Sequence, residues 1–242
     1  MKKSSNIFDR IIDFYKEFEG ANIAGVLAKK SKMFNRFLQW WLERKRKYFR
    51  SSGSKEILHN RLVKFYAPFM LFYMNARPEK FLGPDILGRR DFFIRNARSR
   101  TIDIGMQDGY FVRELKRIGI DTVGTDCVNL LVKMARKSDP GGEYYHCFAE
   151  EIPFPDNTFQ TAICSHLLEH VLNPAEILRE ALRILKPGGK VIVVVPYGLE
   201  IEPTHIREYD RDSLVREVGK FFKIENYYEK IGEGHGCIGV KE

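Results

Sequence analysis

The feature that most constrains the fold is an alternation of short apolar strands with amphipathic helices after residue 95. The predicted strands are apolar segments at 101–104, 122–126, 161–166 and, most hydrophobic of all, KVIVVVP. The predicted helices lie between them, at 109–118, 130–136 and 174–185. Strands that alternate with helices form a parallel sheet covered on both faces. This part of the chain is therefore predicted to be an α/β domain, and the KPGG segment at 186–189 is predicted to end a helix with a turn.

The two ends of the chain depart from this alternation. FFKIENYYEK and HGCIGVKE, joined by IGEG, are predicted to form two strands of a terminal antiparallel hairpin. The first 95 residues are predicted to be helices rich in aromatic and basic side chains, with SSGS at 51–54 as a break between two of them. We therefore predict a helical N-terminal region over residues 1–95 and an α/β domain over residues 96–242.

Composition narrows the class of protein and leaves its partners open. The chain is 44% hydrophobic and 30% charged, which is typical of a globular protein. Its four cysteines form no CxxC pair, no signal peptide begins the sequence and no stretch is long and apolar enough to span a bilayer, so a reducing cytoplasm is expected. The net charge of +8 fits nucleic acid, peripheral contact with an anionic membrane, an anionic substrate or none of these.

The segment TIDIGMQDGYF, residues 101–111, is typical of a strand, a tight turn and the start of a helix. In open parallel sheets, ligands bind beyond the carboxyl ends of the strands, and Gly105 and Gly109 would let the backbone approach a ligand there. The next strand ends in Asp126, at the spacing from which a carboxylate accepts both hydroxyls of a ribose. The chain lacks the GxGxxG pattern of pyrophosphate binders, so a different nucleoside cofactor is predicted.

The pattern Asp103-x-Gly105-x-Gln107-x-Gly109 resembles the first motif of class I S-adenosylmethionine-dependent methyltransferases. The run AEEIPFPDNTFQTAICSHLLEHVLNPAEILREALRILKPGGKVIVVVP resembles the type 11 group of that family, and the resemblance covers about residues 95–242. It implies a Rossmann-like seven-stranded sheet with a terminal antiparallel hairpin. It also implies S-adenosylmethionine as cofactor and S-adenosylhomocysteine as product.

The resemblance also implies a set of cofactor-binding residues. They are Asp103, Gly105, Met106, Gln107, Gly109, Asp126, Cys127, Phe148, Ala149, Glu150, Ser165 and His166. The first loop would hold the methionine end, with Asp103 facing its ammonium group, and Asp126 would hold the ribose. Two positions depart from the family pattern: Gln107 replaces a glycine, and Phe148 stands where an acid is common. These departures leave a degenerate pocket as an alternative.

The sequence His166-Leu-Leu-Glu169-His170 matches a zinc pattern in which two histidines lie one turn apart on a helix. Its place directly after an apolar strand and the nearby Asn173-Pro174 argue against a zinc-binding helix, so no metal site is predicted. His170 is predicted to be a general base on a substrate hydroxyl, and His205 a second one. Arg207 is predicted to contact an anionic group of the substrate. Packing, capping or loop ordering are the alternative roles of these residues.

The predicted activity is S-adenosylmethionine-dependent methylation of a hydroxyl on a small molecule or a saccharide, which the type 11 resemblance favours. Helices ahead of the first strand commonly cover the active site and select the substrate in this fold, as the resemblance implies. The basic and aromatic segment WWLERKRKYFR also fits an RNA methyltransferase, a membrane surface or a solvated helix face. A catalytically degenerate, methyltransferase-like binding protein is the remaining alternative.

Overall fold

A seven-stranded sheet lies at the centre of the computed structural model, which describes residues 32–63, 84–197 and 204–242. Its strands are β1 (Thr101–Ile104), β2 (Thr122–Asp126), β3 (Glu143–His146), β4 (Phe159–Ser165), β5 (Leu185–Pro196), β6 (Lys223–Ile231) and β7 (Gly234–Val240). They are arranged in the order β3-β2-β1-β4-β5-β7-β6. The predicted Rossmann-like sheet is thereby confirmed.

Helices precede the sheet and connect its strands. Within the described residues they are α1 (Lys32–Arg50), α2 (55–63), α3 (Pro84–Asn96), α4 (Tyr110–Arg117), α5 (Asn129–Ser138), α6 (Pro174–Ile184) and α7 (Arg211–Val218). The helices predicted within residues 1–31 and 64–83 lie outside the described part of the chain. No helix in the described ranges is both long and apolar enough to cross a membrane.

In the parallel half of the sheet, the strand ends that carry predicted site residues lie at one edge. β1 pairs in parallel with β2 and with β4, so that Asp103 lies beside Gly124 on one side and Ile163 on the other. All four residues of β1 and all five of β2 are buried, as expected for strands covered on both faces. The loops after β1, β2 and β4 consequently emerge at the same edge, where ligands bind in open α/β sheets.

The C-terminal strands form the predicted antiparallel hairpin. β7 pairs antiparallel with β5 on one side and with β6 on the other. The turn between β6 and β7 contains Gly232 with φ of 62°, a left-handed conformation that glycine adopts at little cost.

The KPGG segment makes its predicted turn within the bounds of β5 instead of ahead of that strand. β5 begins at Leu185, directly after α6 ends at Ile184, and therefore contains KPGG within a strand. Gly188 adopts φ of 72°, and the pairing with β4 shifts between Phe159 and Thr161. Residues 186–189 have no partner in β4, whose pairing passes from Leu185 to Lys190, so KPGG forms an excursion from the strand and keeps its local turn preference.

Helix α3, which precedes the first strand, packs directly against the sheet. Phe92 and Phe93 of α3 are buried against Ile163 of β4 and Ile192 of β5. The predicted domain boundary at residue 95 therefore falls inside a helix that is part of this core. That residues 1–95 form a separate unit stays a prediction.

The helices α1 and α2 pack on the segment that follows β5 in the described chain. Phe49, Leu58 and Ile206 form one buried apolar cluster. Arg46 forms an ion pair with Glu208 at 3.2 Å, and Arg50 Nε donates a hydrogen bond to the carbonyl of Ile206 at 2.6 Å. These contacts place α2 above the edge at which the strands end.

Candidate active site

A cavity of about 540 Å³ lies at the carboxyl ends of β1, β2 and β4, beneath α2. This volume is in the range of cavities that hold small-molecule ligands. The predicted site residues that line it are Gly105, Gln107, Asp126, Cys127, Phe148, Ala149, Glu150, His166, His170 and His205. The predicted site residues that do not line it are Asp103, Met106, Gly109, Ser165 and Arg207. Most of the predicted site residues thus line the cavity, and the side chains of the others lie outside its lining.

The first loop, residues 105–109, has an unusual backbone conformation and is hydrogen-bonded to Asp126. Gly105, Gln107 and Gly109 all adopt left-handed conformations, with φ of 77°, 53° and 76°. The N–H of Gln107 donates to Asp126 Oδ2 at 3.0 Å, and the N–H of Val128 donates to Asp126 Oδ1 at 2.8 Å. Asp126 therefore ties the first loop to the end of β2. Each of its oxygens keeps one further lone pair, which suits the two hydroxyls of a ribose.

Gln107→Gly is expected to raise the free energy of unfolding by about 0.5–1 kcal/mol, because a non-glycine residue is strained at this φ. Cofactor affinity should change less than about threefold, since the bond to Asp126 comes from the backbone. Urea unfolding and calorimetry measure the two effects. Asn157→Gly, at another left-handed residue, is the matched control for affinity. An affinity gain beyond about tenfold would show that the Gln107 side chain narrows the pocket.

The side chain of Met106 faces the core instead of the cavity. It is buried with Val112, Val132, Ala135 and Tyr144, and a Cβ at Gly124 would lie 2.2 Å from its sulfur. Only its backbone can therefore contact a ligand in the cavity. The methionine sulfur thus fills the space beside Gly124 that a side chain there would occupy.

Two buried carboxyl groups lie side by side behind the first loop. Asp103 is 1% exposed, and burial followed by the charge of Asp126 raises its pKa to about 7. Burial raises the pKa of Asp126 to about 6, against the opposing effect of its two backbone hydrogen bonds. Within the described residues, Asp103 Oδ2 has no hydrogen-bond partner. A buried acceptor without a partner is costly, and a cationic ligand group would satisfy it.

Arg89 of α3 is a site residue that the sequence did not indicate. It donates to Ser165 Oγ at 3.1 Å, pairs with Asp85, and stabilises the charged form of Asp103. Its Nε is buried without a hydrogen-bond partner in the described part of the chain. The sequence offered no signal for this residue, because it belongs to no motif and lies in the helix before the sheet.

The predicted adenine-flanking segment is covered by α2. His59 packs edge-on against Phe148, with ring centroids 5.6 Å apart, and Lys55 Nζ lies 5.2 Å from the centre of the same ring. Lys55 also forms an ion pair with Glu151. Burial raises the pKa of Glu150 above its ordinary value. Phe148, which stands in place of an acid, therefore serves as the surface on which this helix packs.

Three histidines line the opposite end of the cavity. His166 follows β4 with φ of 53°, and burial, followed by the charges of Arg89 and His170, lowers its pKa to about 3. Burial, followed by the charges of His170 and His166, likewise lowers the pKa of His205 to about 3. The rings of His170 and His205 meet edge to face, with centroids 4.8 Å apart. At neutral pH the imidazoles of His166 and His205 are therefore uncharged.

The zinc-binding helix that the HxxEH pattern would need is not formed. Leu168–His170 is a single turn of 3₁₀ helix, and His166 precedes it in a left-handed conformation. The two histidines of the motif consequently do not share one α-helical face. This agrees with the argument that the strand ahead of the motif and Asn173-Pro174 after it prevent a helix.

Arg207 is engaged by the backbone. Its Nη2 donates to the carbonyls of Val171 and Leu172, each at 2.7 Å, and it does not line the cavity. These bonds give it the loop-ordering role that was the alternative to a substrate contact. Its predicted contact with an anionic substrate has no support in this geometry.

The chain is similar to known methyltransferases over part of its sheet. The family model described as a methyltransferase domain, of the type 11 group, matches residues 102–193. The demethylmenaquinone methyltransferase of Clavibacter sepedonicus is 31% identical over 117 residues, which is 47% of this chain and 47% of that protein. The ubiquinone biosynthesis O-methyltransferase of Xanthomonas oryzae pv. oryzae is 31% identical over 102 residues, 40% of this chain and 43% of that protein. These alignments span less than half the length of the curated relatives.

The fold is shared with a solved structure of a SAM dependent methyltransferase from Aquifex aeolicus. The TM-score is 0.57 at 16% sequence identity, and the superposition covers 68% of this chain and 96% of that one. At this identity the likeness shows the fold alone.

The residues at the cavity fit S-adenosylmethionine, the cofactor of this family. Asp126, which lines the cavity, suits a ribose. The unpartnered Asp103 Oδ2 and the Arg89 guanidinium do not line the cavity, but they lie behind its first loop and suit an ammonium group and a carboxylate. The family match over residues 102–193 includes Asp103 and Asp126, whereas Arg89 lies ahead of it. Residues 102–193 of this chain therefore match a methyltransferase domain, and the sheet that contains them has the fold of S-adenosylmethionine-dependent methyltransferases.

Proposed function

We propose that the protein transfers a methyl group from S-adenosylmethionine to a hydroxyl of an apolar small molecule. The observation that carries the proposal is a single cavity shared by the first loop, Asp126, the segment Phe148–Glu150 and the histidine end. The relative named as an O-methyltransferase of ubiquinone biosynthesis supports a hydroxyl acceptor. A cavity that holds both cofactor-binding and acceptor-facing groups is what direct transfer between two bound molecules requires.

The wall near the histidines favours an apolar acceptor over a saccharide. Its residues are hydrophobic side chains from α2 and from the segment after β4, namely Leu58, Leu62, Leu167, Val171 and Leu172. Saccharides present many hydroxyls, and each would need a hydrogen-bond partner once it is removed from water. This wall offers few such partners, whereas an aromatic or aliphatic alcohol would be desolvated against it favourably.

The cofactor would be held by groups at three places along the cavity. Asp103 and Arg89 would bind the ammonium and carboxylate of its methionine end, and Asp126 would accept the ribose hydroxyls. Phe148 and Ala149 would flank the adenine. When bound, S-adenosylmethionine supplies a methyl group already activated on a sulfonium.

The rest of the catalysis would come from placing the acceptor and excluding water. α2 covers the cavity through the contacts of Lys55 and His59 with Phe148. Holding the two reactants together in a dry site removes most of the entropic cost of the reaction. His205, whose pKa is about 3, is a weak base and would instead accept a hydrogen bond. General-base roles for His170 and His205 stay predictions, as does a cytoplasmic location.

RNA is the second candidate acceptor because of the outer face of α1. Trp40 and Tyr48 are 57% and 51% exposed, and the guanidinium groups of Arg44 and Arg61 lie over their rings. Aromatic rings beside cations are typical of surfaces that bind single-stranded nucleic acid. An RNA substrate would bind with an affinity that falls steeply as salt concentration rises.

Calorimetry with S-adenosylmethionine, followed by transfer of a labelled methyl group, tests the proposal. We expect micromolar cofactor binding and label in phenolic or other apolar alcohols, with none in saccharides. Label in RNA would replace the proposed acceptor by the second candidate. Cofactor binding without transfer to any acceptor class would indicate a methyltransferase-like binding protein. Absence of binding at millimolar cofactor would overturn the enzymatic proposal itself.

A further inference from the structure

Glu169, His170 and His205 converge at the histidine end of the cavity. Each of them offers one nitrogen or oxygen ligand atom, and the three atoms lie within 4.8 Å of one another. We propose that these three side chains form a binding site for a divalent transition-metal ion of the zinc type. The set shares two residues with the HxxEH pattern but replaces the first histidine of that pattern by His205.

The backbone contacts around the three residues explain why His205 joins the other two. The N–H of Ile206 donates to the carbonyl of Glu169 at 2.9 Å. His170 Nδ1 lies 3.3 Å from the carbonyl of Thr204. These contacts bring the segment that begins at Thr204 against the 3₁₀ turn, on both sides of His205. A site whose ligands are held by such supporting contacts needs little rearrangement to bind an ion.

The donor set selects the class of metal. Two imidazoles and one carboxylate are the ligands of catalytic zinc sites and of non-haem iron sites, both of which keep open positions. Magnesium and calcium prefer sites made of oxygen ligands, so they should bind weakly here.

Burial and charge at the site are also suited to a cation. Glu169 is 1% exposed and His205 is 5% exposed, so an ion would be largely shielded from water. A carboxylate among the three ligands is suited to a divalent cation in this buried setting.

The position of the site gives the ion a role at the acceptor end. His170 and His205 line the cavity, whereas Glu169 lies behind the wall. An open position of the ion would therefore face the space assigned to the acceptor. An acceptor oxygen bound there would lose its proton more readily, as metal-bound water does. This role rests on the proposed function, whereas the binding of the ion does not.

Metal binding to the chelator-treated full chain tests the site directly. We expect one equivalent of Zn²⁺ to bind with micromolar or tighter affinity in calorimetry, and Co²⁺ to give the visible absorption of a four- or five-coordinate site. His205→Ala and Glu169→Gln should each weaken Zn²⁺ binding at least about 10-fold. Excess Mg²⁺ should not compete. Circular dichroism and thermal melting establish that each variant is folded, and His205→Gln serves as a second variant if the alanine variant is not.

His166→Ala is the variant that separates this site from the sequence motif. His166 belongs to HxxEH and lies close to Glu169, with Nδ1 3.8 Å from Oε1, yet it is outside the proposed ligand set. The variant should therefore keep its Zn²⁺ affinity, as should His146→Ala at the far side of the cofactor loops. Equal losses in His166→Ala and His205→Ala would overturn the proposed set, and a loss in His146→Ala would show surface binding instead. Failure of the wild-type chain to bind Zn²⁺ while it binds S-adenosylmethionine would reject the metal site and leave the proposed function intact.

Discussion

Asp103→Asn is expected to stabilise the cofactor-free protein above neutral pH and at the same time to weaken its affinity for S-adenosylmethionine. The carboxyl group is buried beside Asp126, and its pKa is raised from 3.8 to about 7. The folded state therefore favours the neutral acid, which asparagine imitates. In the proposed complex, by contrast, a charged Asp103 faces the ammonium group of the cofactor.

The pH dependence of stability follows from the direction of this pKa change. Because the folded pKa lies above the unfolded one, the stabilisation is complete below about pH 4 and is lost as the pH rises through about 7. A pKa raised from 3.8 to about 7 corresponds to about 4 kcal/mol over that range. Urea unfolding from pH 4 to pH 8 should show this decline in the wild type and a smaller one in Asp103→Asn, in which the raised pKa of Asp126 still contributes.

The same substitution, which should stabilise the cofactor-free protein, is expected to weaken cofactor binding. Loss of one charge-assisted hydrogen bond should lower affinity for S-adenosylmethionine by about 10- to 100-fold in calorimetry at pH 8. Asp121→Asn is the matched control, because this carboxylate precedes β2 and its side chain is 57% exposed. It should change neither stability nor affinity appreciably. An Asp103→Asn variant that binds the cofactor as tightly as the wild type would contradict the ammonium assignment.

Asp126→Ala is expected to lower cofactor affinity at least about 100-fold. The change removes the acceptors for the N–H groups of Gln107 and Val128 and, with them, the proposed ribose contacts. Hydrogen bonds to a charged group contribute about 1.5–3 kcal/mol each, so the loss of two accounts for this magnitude. Calorimetric titration with S-adenosylmethionine measures the effect.

Asp126→Asn separates the loss of the backbone hydrogen bonds from the loss of the proposed ribose contacts. Asparagine keeps one acceptor oxygen, so it should retain one of the two backbone bonds and bind more tightly than the alanine variant. Asp121→Ala again serves as the control acid ahead of the same strand. Unchanged affinity in Asp126→Ala would refute the assignment of this residue to the ribose.

Much of the fold and part of the site could be predicted because they depend on local pattern. The period of the apolar residues predicted β1, β2, β4 and the helices between them. Parallel strands bring their carboxyl ends to one edge, so the sequence alone predicts that Gly105 and Asp126 lie close together. The bond between Gln107 and Asp126 makes that expectation specific.

Other parts of the site depend on packing between segments far apart in the chain. Arg89 reaches Ser165 because Phe92 and Phe93 fasten α3 to the sheet, and no motif marks that helix. The placement of His59 on Phe148 depends on where α2 packs. A histidine on a basic helix has the same local sequence whether it faces solvent or a cavity, so periodicity could not decide this.

The histidine end separates most clearly what the sequence determined from what the tertiary structure decided. The sequence by itself placed His166, Glu169 and His170 after β4, at the edge where ligands bind, and excluded a helix that would align the two histidines. Only the tertiary structure decided that His205, rather than His166, joins Glu169 and His170. The physical reason is that a backbone bond between Ile206 and Glu169 and the packing of α1 and α2 on the segment after Thr204 set this arrangement, and no local preference encodes them.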